Sequence, residues 1–161
     1  MFFNKKKKDV IVPLTVNNPV FGKVRNFGNW FTVEPIQFSL WNKSFTVKLR
    51  MVANGEQDQI TNQQEESGLL FQENTVKFKS QIEQNIQELF DDLSIDELEA
   101  SIIIQGFYFA KDGRIGVALS ADLDNDYLEE HEIGPDNNFG FSIYPKYALL
   151  PSNEEFLDFF E

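Results

Sequence analysis

The chain has 161 residues, no cysteine and one histidine, with 42% hydrophobic and 14% aromatic residues and a formal net charge of −12. That composition excludes a disulfide framework, thiolate metal sites and cysteine nucleophiles, and it is too apolar for a disordered acidic tail. The charge is divided: residues 1–50 carry nine Lys or Arg against two Asp or Glu (+7), and residues 51–161 carry five against 24 (−19).

The length predicts one domain, 1–161, able to bury a sizeable core, with 1–9 as a flexible basic tail around Lys5–Lys8. No leader-like apolar run follows those lysines, and no stretch reaches the length of a membrane span. With the missing cysteines, this predicts a cytoplasmic protein.

Residues 10–53 read as strands. Pro13 demotes the first run, VIVPLTV, to an edge or a strand start. Ile36, Phe38 and Leu40, then Phe45, Val47, Leu49 and Met51, alternate with polar residues and predict an antiparallel hairpin closed around Trp41, Asn42 and Lys43. Lys48 and Arg50 fall on its opposite, solvated face.

A helix follows. Thr61 and Gln64 fit a capping box, and Phe78, Ile82, Ile86, Leu89 and Leu93 form one helical stripe. Gly68 weakens the early part of this helix and allows a kink or a break there. A second box, Ser94 with Glu97, starts a short helix or turn. Residues 102–121 then predict a hairpin closed by Lys111-Asp112-Gly113-Arg114, because Asp-Gly tolerates the positive φ of tight turns. GFSIYPKYALL reads as the last strand, and Ser152 with Glu155 opens a C-terminal helix carrying Phe156, Leu157, Phe159 and Phe160. The order predicts α+β: a mostly antiparallel β-sheet, one long helix packed on it and a short C-terminal helix.

Between the second hairpin and the last strand lies DLDNDYLEEHE, residues 122–132, read as an acidic connection. Asp122, Asp124 and Asp126 match the first three ligand positions of a calcium loop. Position 6 is Tyr127 instead of glycine, and position 12 is Ile133 instead of glutamate. His131 stands between Glu130 and Glu132, which is the company of a general base, but no nucleophile elbow, phosphate loop or second histidine accompanies it. Basic and aromatic residues interleave in FGKVRNFGNWF and FTVKLR, as in single-strand binders, but alternating aromatics in strands usually form core and the net field opposes phosphates.

Several segments resemble one family. Val20-Phe21-Gly22-Lys23, the strand around Trp30 and the Leu40–Val47 hairpin resemble uncharacterised bacterial domains that open with "FGK", a Trp-containing strand and an "LFGK"-like hairpin. Their "ITxxQ" helix is matched by Ile60-Thr61-Asn62-Gln63-Gln64. A strand pair around a "DG" turn follows in that family, leading to a "WDxEHG"-like stretch. Asp126 to Glu132 hold that place with Glu130-His131 but without the tryptophan and the final glycine. The resemblance spans most of residues 20–134 and implies an immunity protein that neutralises a polymorphic or contact-dependent toxin.

The expected function is therefore non-enzymatic: direct complex formation with a basic protein, such as the nuclease domain of a toxin. The alternatives are a calcium-binding module and a small hydrolase. The expected interface is Asp122, Asp124, Asp126, Glu129, Glu130 and Glu132 with Tyr127 as aromatic anchor, and a second acidic face of Glu83, Glu88, Asp91 and Asp92. No metal, cofactor, nucleic acid or membrane is expected.

Overall fold

The computed structural model describes residues 13–161; the basic tail and residues 10–12 lie outside the described residues. In chain order the elements are β1 (Thr15–Asn18), β2 (Gly22–Asn26), β3 (Trp30–Thr32), β4 (Ile36–Leu40), β5 (Lys43–Val47), β6 (Leu49–Met51), α1 (Asn62–Glu73), α2 (Thr75–Leu89), α3 (Ile95–Ser101), β7 (Ile102–Phe109), β8 (Ile115–Ala121), α4 (Asn125–Glu130), β9 (Asn138–Tyr144), β10 (Ala148–Leu150) and α5 (Asn153–Phe160). Eight strands form one sheet in the order β1-β2-β3-β6-β7-β8-β9-β10, and β4-β5 form a separate two-stranded sheet. Every neighbouring pair is antiparallel except β6 and β7. The predicted α+β class holds.

The predicted first hairpin divides at Lys48. Ile36 pairs with Val47 and Phe38 with Phe45, so β4 and β5 close on each other as expected. The alternation then continues into a different sheet: β6 inserts between β3 and β7, and the Leu49 amide donates to Thr32 Oγ1 at 3.0 Å. Leu49 and Met51 remain buried, so their period of two survives the change of partner.

The predicted long helix is two helices. The break falls at Asn74, where the backbone turns to φ −125° and the side-chain amide donates to the Leu70 carbonyl at 2.8 Å. Gly68 lies inside α1 for a different reason: a Cβ there would come within 2.5 Å of the Phe21 ring. Close packing, not helix termination, requires that glycine. The Thr61–Gln64 box is complete, and the Ser94–Glu97 box starts α3 as expected. Ser152 accepts from the Glu155 amide at 3.2 Å at the start of α5.

Gln64 does more than cap. Its Oε1 accepts from the Thr61 amide, while its Nε2 donates to the carbonyls of Val52 and Phe109, all at 2.9 Å. One fully buried amide thus satisfies three backbone groups at the end of the parallel β6–β7 pair.

The inner face of the sheet carries the main core. Phe38, Phe71, Phe107 and Phe109 meet there with neighbouring ring centroids 4.7–6.2 Å apart, beneath α1, α2 and the β4–β5 sheet. On the outer face, Phe156 and Phe160 of α5 lie over Gly140 and Gly116, where a Cβ would come within 2.4 and 2.2 Å of their rings. Residues 140–150, expected as one last strand, are β9 and β10, turned at Pro145 and Lys146. The 102–121 hairpin stands as predicted, with Gly113 at φ +91° in its turn. Among the described residues no helix is long and apolar enough to cross a membrane.

Candidate functional site

The acidic connection is helical. Asp124 has non-helical backbone (φ −55°, ψ 135°) and its carboxylate accepts from the Asp126 amide at 2.9 Å, which caps the six-residue α4. Leu128 and, just beyond, Ile133 are buried and hold the helix on the core. Asp122, Asp124, Asp126, Glu129, Glu130 and Glu132 consequently stay exposed around it. The sequence concealed this helix because carboxylates crowd it and only one fully buried side chain anchors it.

Folding brings part of the second acidic group to the first. Asp91 and Asp92 lie in the turn after α2, and the Tyr127 hydroxyl of α4 donates to Asp92 Oδ1. Glu83 and Glu88 do not join them. Glu83 accepts from the Trp41 backbone amide in the β4–β5 turn and pairs with Lys79 at 2.7 Å. Glu88 accepts from Gln84 at 2.9 Å, and its field, after burial, helps push Tyr147 up to about 12.

Tyr127 is a clasp, not a protruding anchor. Its ring packs 5.9 Å from Phe90 and 4.2 Å from His131. Burial, then the hydrogen bond to Asp92 and the fields of Asp92, Asp91 and Glu97, hold its phenol well above the usual tyrosine range. His131 follows one turn later as the helix cap. Its Nδ1 lies 2.7 Å from the Tyr127 carbonyl; a carbonyl only accepts, so Nδ1 carries the proton. Nε2 faces Asp92 Oδ1 at 4.0 Å. The acid beside the histidine is therefore Asp92, far away in sequence, and not Glu130 or Glu132.

The residues that could hold a metal are Asp91, Asp92 and His131, whose ligand atoms lie within 4.8 Å of one another. That spread exceeds the edge of about 3.4 Å expected between donors around zinc, and Asp92 Oδ1 already accepts from Tyr127. Among the described residues Asp122, Asp124 and Asp126 do not converge as a ligand set. As arranged, these groups make a hydrogen-bonded acidic surface.

A cavity of about 340 Å³ adjoins α4, lined by Asn125, Glu129, Ile133, Gly134, Pro135 and Asn137. Asn137 Oδ1 is buried without a hydrogen-bond partner.

The outer sheet face carries the opposite charge. Register places Arg25, Phe31, Arg50 and Tyr108 in one row across β2, β3, β6 and β7. The Arg50 guanidinium lies between two rings, 4.6 Å from the centroids of Phe31 and of Tyr108. Burial raises the Tyr108 phenol above its usual range, while the Arg50 charge opposes that shift and Glu161 adds to it. The expected solvated face for Arg50 and core placement for the interleaved aromatics hold only in part. Phe21 and Trp30 are core, but Phe27 is 62% exposed and Phe31 is half-buried beside Arg50. The signal was present in FGKVRNFGNWF; the face each ring takes was not.

Comparison with protein-family models, with curated proteins and with solved structures found no match.

Proposed function

We propose that this is a non-enzymatic binding protein that presents the surface of α4 and the α2–α3 turn to a basic protein partner. The observation that carries the reading is the Tyr127–Asp92 hydrogen bond, which joins two acidic segments into one surface. Asp91, Asp92, Asp122, Asp124, Asp126, Glu129, Glu130 and Glu132 are exposed there, and among the described residues no Lys or Arg pairs with them. Uncompensated carboxylates on one side of a chain of charge −12 speed encounter with a cationic surface and penalise anionic ones. Nearby hydrophobic side chains, Leu128 and Ile133, keep the short helix in place so that its charges need no ordering on binding.

The family resemblance in the sequence narrows the partner to a bacterial toxin domain, such as a basic nuclease, neutralised by capping. No membrane or cofactor enters this reading.

The test is co-expression with the product of the neighbouring reading frame. The expected result is protection from a toxic product and a complex whose association rate falls steeply with added salt. Replacing Asp91, Asp126 and Glu130 together with lysine should slow association at least tenfold. A harmless neighbour, or a complex indifferent to those replacements, overturns the reading.

A further inference from the structure

We propose that the outer sheet face around Arg50 is a binding site for a small phosphate-bearing ligand with a planar ring, a nucleotide. It is separate from the acidic surface and does not depend on it.

Arg50 is held ready for an anion. Phe31 and Tyr108 fix the plane of its guanidinium from two sides, each centroid 4.6 Å away, so little side-chain freedom is left to lose on binding. Its donors remain unspent: among the described residues no carboxylate lies within ion-pair distance of Lys23, Arg25, Lys48 or Arg50. Arg25 and Arg50 share one row of the sheet, and Lys48 stands two residues before Arg50 on the same face of its strand.

The shape also fits. Arg50, Phe31, Tyr108 and Lys48 line a concavity of about 330 Å³, within the size range of small-ligand sites. A planar guanidinium takes two phosphate oxygens through parallel N–H donors, and the exposed Lys48 ammonium adds a second charge at the same wall. Beyond Phe31, the Phe27 ring stands 6.1 Å away and 62% exposed, a platform for a base attached to that phosphate. Charge selects the size of the ligand. Residues 51–161 carry −19, a field that opposes a long polyanion far more than one bearing two or three charges.

The experiment is titration of the intact protein with ADP, with inorganic pyrophosphate and with a ten-residue oligothymidylate, read by calorimetry and by amide shifts on β3, β6 and β7. ADP should bind at micromolar to millimolar concentration. Arg50→Lys, which keeps the charge but loses the fork, and the exposed Lys48→Gln should each weaken ADP about tenfold, a loss of about 1.4 kcal/mol. Phe27→Ala should weaken ADP and leave pyrophosphate unchanged. Glu161→Gln should strengthen both, because its field reaches Tyr108 beside the site. Absence of ADP binding, ADP binding untouched by Lys48→Gln, or oligothymidylate binding tighter than ADP overturns the proposal. Lys48 is exposed, so its variant tests the site even where Arg50→Lys unfolds the sheet.

Discussion

The Tyr127 hydroxyl donates its hydrogen to the carboxylate of Asp92, and that bond spans 35 residues of chain to fasten α4 to the turn after α2. It leaves a measurable trace at high pH. Tyr127 is held protonated in the fold, so the native protein binds this proton more tightly than the unfolded chain. The stability tied to it is complete below the unfolded tyrosine pKa of about 10 and is lost as pH rises through the higher folded value. Tyr127→Phe should cost about 1 kcal/mol at pH 7 and make the decline in stability above pH 10 shallower. Denaturant unfolding at pH 7, 10 and 11 checks it, and equal slopes for both proteins sink it.

Gln64 supports the parallel strand pair from the helix side. Its amide donates to Val52 and Phe109 and accepts from Thr61, all at 2.9 Å and fully buried. Gln64→Leu fills nearly the same volume but takes the side-chain partner from the Val52 carbonyl and the Thr61 amide, while the Phe109 carbonyl keeps only the Val52 N–H. The expected loss is about 3 kcal/mol. A midpoint shift of less than a third of that would mean water replaces the amide.

What the sequence made legible was local. Thr61, Ser94 and Ser152 marked helix starts because a cap is a contact within three residues, and Phe78, Ile82 and Ile86 marked the buried stripe by their spacing. The helix break at Asn74 was not legible, and Gly68, where a kink or break was allowed, looks the same whether it weakens a helix or admits the Phe21 ring. The pairing of β6 with β7 was not legible, since Leu49 alternates identically whichever sheet it joins. The site shared this limit: each acidic segment was visible, but that Asp92 meets Tyr127 while Glu83 turns to Trp41 depends on contacts 35 and 42 residues apart.

Glu83 is a structural acid, set apart from the proposed α4 surface. Its carboxylate is half-buried, receives the Trp41 amide and pairs with Lys79. Glu83→Gln keeps an acceptor for the amide but loses the charge, and should cost about 1 kcal/mol with the β4–β5 turn still in place. Glu83→Ala also strands the Trp41 N–H and should cost about 2 kcal/mol. Neither should alter partner association, because Glu83 lies outside the α4 surface. Paired measurements of melting and association rate decide this; a partner effect from Glu83→Gln at unchanged stability would extend the interface to α2.

The docking of α5 rests on two glycines. Phe156 lies over Gly140 and Phe160 over Gly116, so close that a single methyl on either strand residue would overlap a ring. Val117 O also comes within 2.5 Å of the Cβ position at Gly140, so there the neighbouring strand opposes the methyl as well. At Gly116 the three nearest atoms belong to the Phe160 side chain, which can move outward with the end of the helix. Gly140→Ala should therefore cost about 3 kcal/mol through strain in the sheet itself. Gly116→Ala should cost about 1 kcal/mol and chiefly loosen α5, raising the hydrogen-exchange rates of the Leu157–Phe160 amides while those of β8 stay slow. If the two variants loosen β8 and α5 alike, the helix and the sheet open as one unit and the separate docking step is wrong.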